Sequence, residues 1–264
     1  EGLEIGYCAR NGEVDVRLTR DGRLAGIHDL DTQRVAGRAH VVARSTLAEL
    51  QALDIGGERD GRFAGERIPA LEEVLELVPA GKRVFVELKG GPESTAELRR
   101  CVGRALRDQP VPLAPEQIAV IAFELATAIA AKLALPLHEV CWLVEAGGAT
   151  PAATLEEIGR TAQDAGLDGI DVDAAWPFDA VIVRRLQQKC GGAFKIYVWT
   201  VDDASQARGL AAAGIAGLTT NRPRMMWRSA RGSSCSNSVA ITPKSCEGRM
   251  TSASTRRRPS SRLF

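Results

Sequence analysis

The chain has 264 residues, of which 45% are hydrophobic and 25% charged, with a formal net charge of +1. That balance suits one large α/β domain with a real core, and no apolar run approaches the roughly 20 residues of a membrane span. From Arg224 onward lie nine of the 34 Lys/Arg but one of the 33 Asp/Glu, so the body is acidic, which excludes nucleic acid as the main partner.

In chain order, the first strand is expected over Glu13–Leu18. Glu13 and Asp15 stand at i and i+2, which on a strand places both carboxylates on one face and Val14, Val16 and Leu18 on the other. Two acids side by side in a barrel interior require something positive between them. Asp21-Gly22 then signals a tight turn into the short run Leu24–Ile27, and His28-Asp29 closes that run. A histidine beside those carboxylates is the best acid/base candidate in the chain; His40 lies in a polar stretch and His138 before a strand, on the opposite face.

A helix follows over Leu47–Leu53, opened by the capping-box pair Thr46 and Glu49. Another is expected over Leu71–Val78, with Pro69 in its first turn and Gly81 after its end. The strand Arg83–Leu88 repeats the earlier logic: Val84, Val86 and Leu88 face the helices, so Glu87 and Lys89 point inward. Glu13, Asp15 and Glu87 together form an all-oxygen set suited to Mg²⁺ or Ca²⁺, and Lys89 reads either as a point charge for a phosphate or as a buried partner of Glu87.

Helices over Ser94–Arg107, Leu125–Leu133, Thr154–Ala165, Asp179–Gln188 and Ala204–Ala213 alternate with strands over Gln117–Phe123, Glu139–Val144, Gly169–Val172, Lys195–Val201 and Gly217–Thr220. Such alternation implies parallel βαβ units. Seven strands suggest a (β/α)₈-type TIM barrel lacking one member, occupying 1–223. Trp199 stands near the end of an inner strand, where it can wall a pocket or belong to the core. Asp171 and Asp173 share a strand face but have no partner motif. Six scattered cysteines read as core residues of a reduced protein. The Ser/Arg-rich segment 224–264 is expected to be an unstructured tail.

Four stretches taken together resemble the glycerophosphodiester phosphodiesterase family: Glu13–Asp29 (EVDVRLTRDGRLAGIHD), Phe63–Leu77 (FAGERIPALEEVLEL), Val86–Lys89 (VELK) and Val198–Pro223 (VWTVDDASQARGLAAAGIAGLTTNRP). They cover nearly the whole body in the family's order. The resemblance implies a TIM barrel that hydrolyses glycerophosphodiesters to glycerol 3-phosphate and an alcohol. It implies a divalent metal, Mg²⁺ or Ca²⁺, on Glu13, Asp15 and Glu87, with His28 as one of two acid/base histidines. Lys89 is then expected near the phosphate and Trp199 beside the substrate.

The family's first strand carries a His-Arg-Gly motif, and the sequence contains none, so that strand and one histidine are expected to be missing and turnover impaired. Two other readings are a non-catalytic barrel that binds a phosphodiester or a partner, and a phospholipase-like phosphodiesterase. With no signal peptide visible, the expected location is the cytoplasm; because the sequence opens on Glu1, a secreted or periplasmic one stays open.

Overall fold

The computed structural model describes residues 13–57, 60–147, 154–178, 180–223 and 240–242. Its strands are β1 (Glu13–Leu18), β2 (Leu24–Gly26), β3 (Val84–Leu88), β4 (Ile118–Ala122), β5 (Glu139–Val144), β6 (Gly169–Asp173), β7 (Lys195–Trp199), β8 (Gly217–Thr219) and β9 (Ala240–Thr242). They form one sheet in the order β2-β1-β3-β4-β5-β6-β7-β8-β9. Only the β1–β2 pair is antiparallel; from β1 through β9 every neighbour runs parallel. All seven strands expected for the body are present. The helices are α1 (Gln33–Ala36), α2 (Leu47–Gln51), α3 (Leu71–Glu76), α4 (Thr95–Ala105), α5 (Leu125–Ala134), α6 (Leu155–Asp164), α7 (Ala180–Cys190) and α8 (Ala204–Ala213).

The alternation of side chains along each strand divides the interior into two cores. Val14, Val16, Val84, Val86, Leu88, Ile118, Val120, Ile170, Ile196 and Val198 pack outward against Leu98, Val102, Ala128, Ile158, Val183, Leu186 and Leu210 of the helices. On the other face a smaller cluster of Phe85, Ala119, Ile121, Cys141, Leu143 and Tyr197 fills the barrel. Its base is polar and satisfied: the Tyr197 hydroxyl donates to Glu139 Oε1 at 2.7 Å and accepts from Arg83 Nη1 at 3.2 Å. The open end therefore lies at the other pole, where the strands' C-termini meet.

Local chemistry accounts for most boundaries. Thr46 caps α2 through the Glu49 amide, while Glu49 Oε2 accepts from the Thr46 amide at 2.7 Å, so the expected capping box is formed. Gly22 adopts φ +73° in the β1–β2 turn, where its amide reaches the Thr19 carbonyl at 3.0 Å. Pro69 lies before the N-cap Ala70, not in the first turn of α3, and its carbonyl accepts from the Gly26 amide at 2.8 Å. Gly81 does take a left-handed φ of +71°, but in the turn before β3, since α3 ends earlier at Glu76.

Within the segment expected to be unstructured, Ala240–Thr242 forms β9 and pairs in parallel with β8, so Leu218 faces Ile241. A strand alternation too short to register in a Ser/Arg-rich run thus supplies an eighth parallel member. The rest of that segment lies outside the described residues. Cys101, Cys141 and Cys190 are buried free thiols, as expected of core cysteines.

Candidate active site

The site grows from one register. β1 lies beside β3 with Asp15 opposite Glu87 and Glu13 opposite Phe85, so the three inward acids occupy adjacent steps of neighbouring strands. One carboxylate oxygen from each of Glu13, Asp15 and Glu87 comes within 4.8 Å of the others. Lys89, one inward step beyond Glu87, folds back over them. Its Nζ lies 2.6 Å from Glu87 Oε1 and 3.4 Å from Asp15 Oδ1, with the side chain 11% exposed. The same Nζ lies 5.8 Å from the centroid of the Phe123 ring, and Phe123 meets Trp199 edge-on at 5.8 Å. Trp199 is fixed in turn by its indole N–H, which donates to the Asp171 carbonyl at 3.3 Å. A cation thus sits between a floor of carboxylates and an aromatic wall.

Charge in this space is unbalanced. Burial, and then the charges of Asp15, Asp171 and Glu87, push Glu13 well above its ordinary carboxylate range. Burial and the neighbouring Asp15 raise Glu87 to about 7. Asp171, on the inner face of β6, is pushed up to about 8 by burial and by Glu87 and Glu139. The three acids meet one lysine, and Asp15 Oδ2 and Asp171 Oδ1 are buried without a hydrogen-bond partner. Orphaned carboxylate oxygens are rare inside proteins. Three convergent oxygens with spare lone pairs, and no sulfur or imidazole among them, fit a hard divalent cation such as Mg²⁺ or Ca²⁺. A second cluster, Glu72, Glu97 and Cys101, is already filled by guanidinium groups: Arg23 reaches Glu72 at 2.6 Å and Glu97 at 3.0 Å, and Arg100 reaches Glu97 at 2.6 Å.

His28 stands on the loop after β2 with its ring 52% exposed. Its Nδ1 lies 2.8 Å from Asp29 Oδ1, and Asp29 Oδ2 accepts from Arg34 Nε at 2.5 Å. Those bonds, that from Arg34 foremost, hold Asp29 below the usual carboxylate range, so it is ionised and only accepts. Nδ1 therefore carries the hydrogen, leaving Nε2 as the basic nitrogen.

Three participants were not assigned from the sequence. Arg17 continues the inward set Glu13, Asp15, and spans to the backbone carbonyls of His28 and Lys89, each at 2.8 Å. Asp171 was visible as sharing a strand face with Asp173, but nothing in its own strand named its neighbours. Phe123 ends a strand expectation and gave no signal of the contact to Lys89.

The model of the Glycerophosphoryl diester phosphodiesterase family matches residues 7–225. The chain belongs to that family. The activity of that family is the hydrolysis of glycerophosphodiesters, as the resemblance implied. A glycerophosphodiester phosphodiesterase of Caldanaerobacter subterraneus is 28% identical over 231 residues, covering 85% of this chain and 86% of that protein. Among solved structures, a glycerophosphoryl diester phosphodiesterase of Silicibacter pomeroyi superposes with a TM-score of 0.68 at 21% identity, over 87% of this chain and 84% of that one. An Oleispira antarctica phosphodiesterase in complex with the product sn-glycerol-3-phosphate gives 0.67 at 22% identity, over 86% and 87%. These two likenesses establish the shared barrel fold. No helix among the described residues is long and apolar enough to cross a membrane.

Proposed function

We propose that this site hydrolyses a glycerophosphodiester to glycerol 3-phosphate and an alcohol, with Glu13, Asp15 and Glu87 holding Mg²⁺ or Ca²⁺. The observation that carries this reading is the convergence of those three carboxylates around Lys89 at the mouth of the barrel. A divalent cation there supplies charge stabilisation to a phosphoryl oxygen. Lys89, whose ammonium lies beside Glu87 and Asp15, would meet the phosphate as a point charge. The Phe123 and Trp199 rings, meeting edge-on, offer an apolar wall for the glycerol carbons. His28 Nε2 exchanges a proton with the reacting oxygens, and Asp29 stabilises the imidazolium that forms. A water oxygen bonds to phosphorus and gives up one proton, the ester P–O bond to the alcohol breaks, and the departing oxygen takes one proton, His28 Nε2 serving one of these two transfers and solvent the other.

A second proton-transfer group beside His28 would speed turnover. One positioned proton-transfer group contributes about 10²- to 10⁴-fold, so a protein carrying a His-Arg-Gly strand should convert the diester faster by that order. The test is ³¹P NMR of glycerophosphocholine incubated with the protein and Mg²⁺ or Ca²⁺, and again with a variant given a His-Arg-Gly strand. Conversion to glycerol 3-phosphate, accelerated in the second protein, supports the reading. Binding of the diester with no conversion in either protein would leave the non-catalytic barrel standing in its place.

A further inference from the structure

We propose that Arg17 is a positioning residue that sets the distance between the proton-transfer loop and the phosphate end of the site, an inference that rests on the function proposed above. Arg17 is the third inward residue of β1, two positions beyond Asp15, and its side chain leaves the strand at the barrel mouth. Its guanidinium donates in two directions. Nε reaches the carbonyl of His28 at 2.8 Å, and Nη1 reaches the carbonyl of Lys89 at 2.8 Å. These acceptors are 11 and 72 residues away in the chain, so one planar group joins two segments that have little else in common.

Each acceptor belongs to a residue with a proposed role. Lys89 is held on its amide side by the Val16 carbonyl at 3.0 Å, and Arg17 fixes its carbonyl side, so the lysine stem starts from a clamped peptide. The backbone around His28 is less anchored. The Ile27 amide bonds only to the nearby Ala25 carbonyl at 3.0 Å, and the imidazole pairs with Asp29, its own neighbour in sequence. The Arg17 bond therefore ties the His28 peptide directly to the strand that carries Asp15.

A guanidinium suits this task because its donors are rigid and diverge in one plane. An ammonium at the same place is a point donor on a flexible stem and reaches one carbonyl well. A misplacement of about 1 Å far from the reacting atoms can cost about 100-fold in rate. Loss of the tie should act mainly on kcat, because His28 works in the transition state, while Lys89 keeps its amide bond to Val16 and with it most of the diester binding.

The experiment compares wild type, Arg17→Lys and Arg17→Met by two readouts. The first is hydrogen exchange of a peptide spanning Ile27–Ala36. The second is steady-state glycerophosphocholine hydrolysis with Mg²⁺. Expected are faster exchange of that peptide in Arg17→Met, with α4–α8 unchanged, and a fall in kcat of about 10- to 100-fold at nearly constant KM. Arg17→Lys should lie between the two in both readouts. Unchanged exchange in Arg17→Met overturns the tie, whatever the activity. Faster exchange with unchanged kcat overturns the positioning role while the diesterase reading stands. If wild type turns over no diester, that reading fails on its own and the exchange comparison alone decides whether Arg17 holds the loop.

Discussion

At the scale of single residues, Lys89 is the most exposed to test because it neutralises two buried acids at once. Removing one member of a buried ion pair leaves an uncompensated charge and typically costs about 3–5 kcal/mol. Lys89→Met should therefore lower stability in urea by roughly that amount at pH 8 without metal, and Ca²⁺ should recover part of the loss. A cost below about 1 kcal/mol would mean that the carboxylates are screened by water instead. The sequence made Glu13, Asp15, Glu87 and Lys89 legible because strand alternation alone fixes which side chains share a face. It could not show Arg17 or Asp171 at work. Their partners, a carbonyl 72 residues away and acids on other strands, exist only once the sheet has its register.

At the scale of elements, boundaries with side-chain chemistry behind them were readable, and those set by tertiary contact were not. Thr46 and Glu49 announced α2, and Thr46→Ala should cost about 1 kcal/mol in urea while leaving metal binding unchanged. A loss of the metal-induced thermal shift would show instead that α2 positions the site. Gly169 gave no such notice. A Cβ there would stand 2.3 Å from the Lys195 carbonyl oxygen, so β6 and β7 approach too closely for any side chain. Gly169→Ala should destabilise the fold by about 1–3 kcal/mol, and it should disturb Asp171 two residues on. An unchanged urea midpoint would contradict that tight approach. The β9 strand was likewise hidden, since three residues pairing with β8 carry no period of their own.

At the scale of the whole molecule, the buried acids set a pH dependence with two limbs. Glu72, held at about 2 with Arg100 and Arg23 against it, contributes stability that is present above the unfolded value of about 4.3 and lost as pH falls through the folded one. Glu87 and Asp171 run the other way. Their folded values of about 7 and about 8 lie above the unfolded ones of about 4, so the stability they contribute is full below the unfolded values and lost progressively as pH rises through the folded ones. The metal-free protein should accordingly melt highest near about pH 5 and lower on both sides. A cation on the carboxylates displaces protons, so its thermal shift should grow from pH 6 to pH 8; a shift that shrinks over that range would place the ion elsewhere. The most direct test of the account is release of glycerol 3-phosphate from glycerophosphocholine by wild type and Glu87→Gln, each with and without Mg²⁺ or Ca²⁺. The expected result is release by wild type that requires the cation and is lost in Glu87→Gln. Release that is equal in the two proteins, or unaffected by removing the cation, would contradict it.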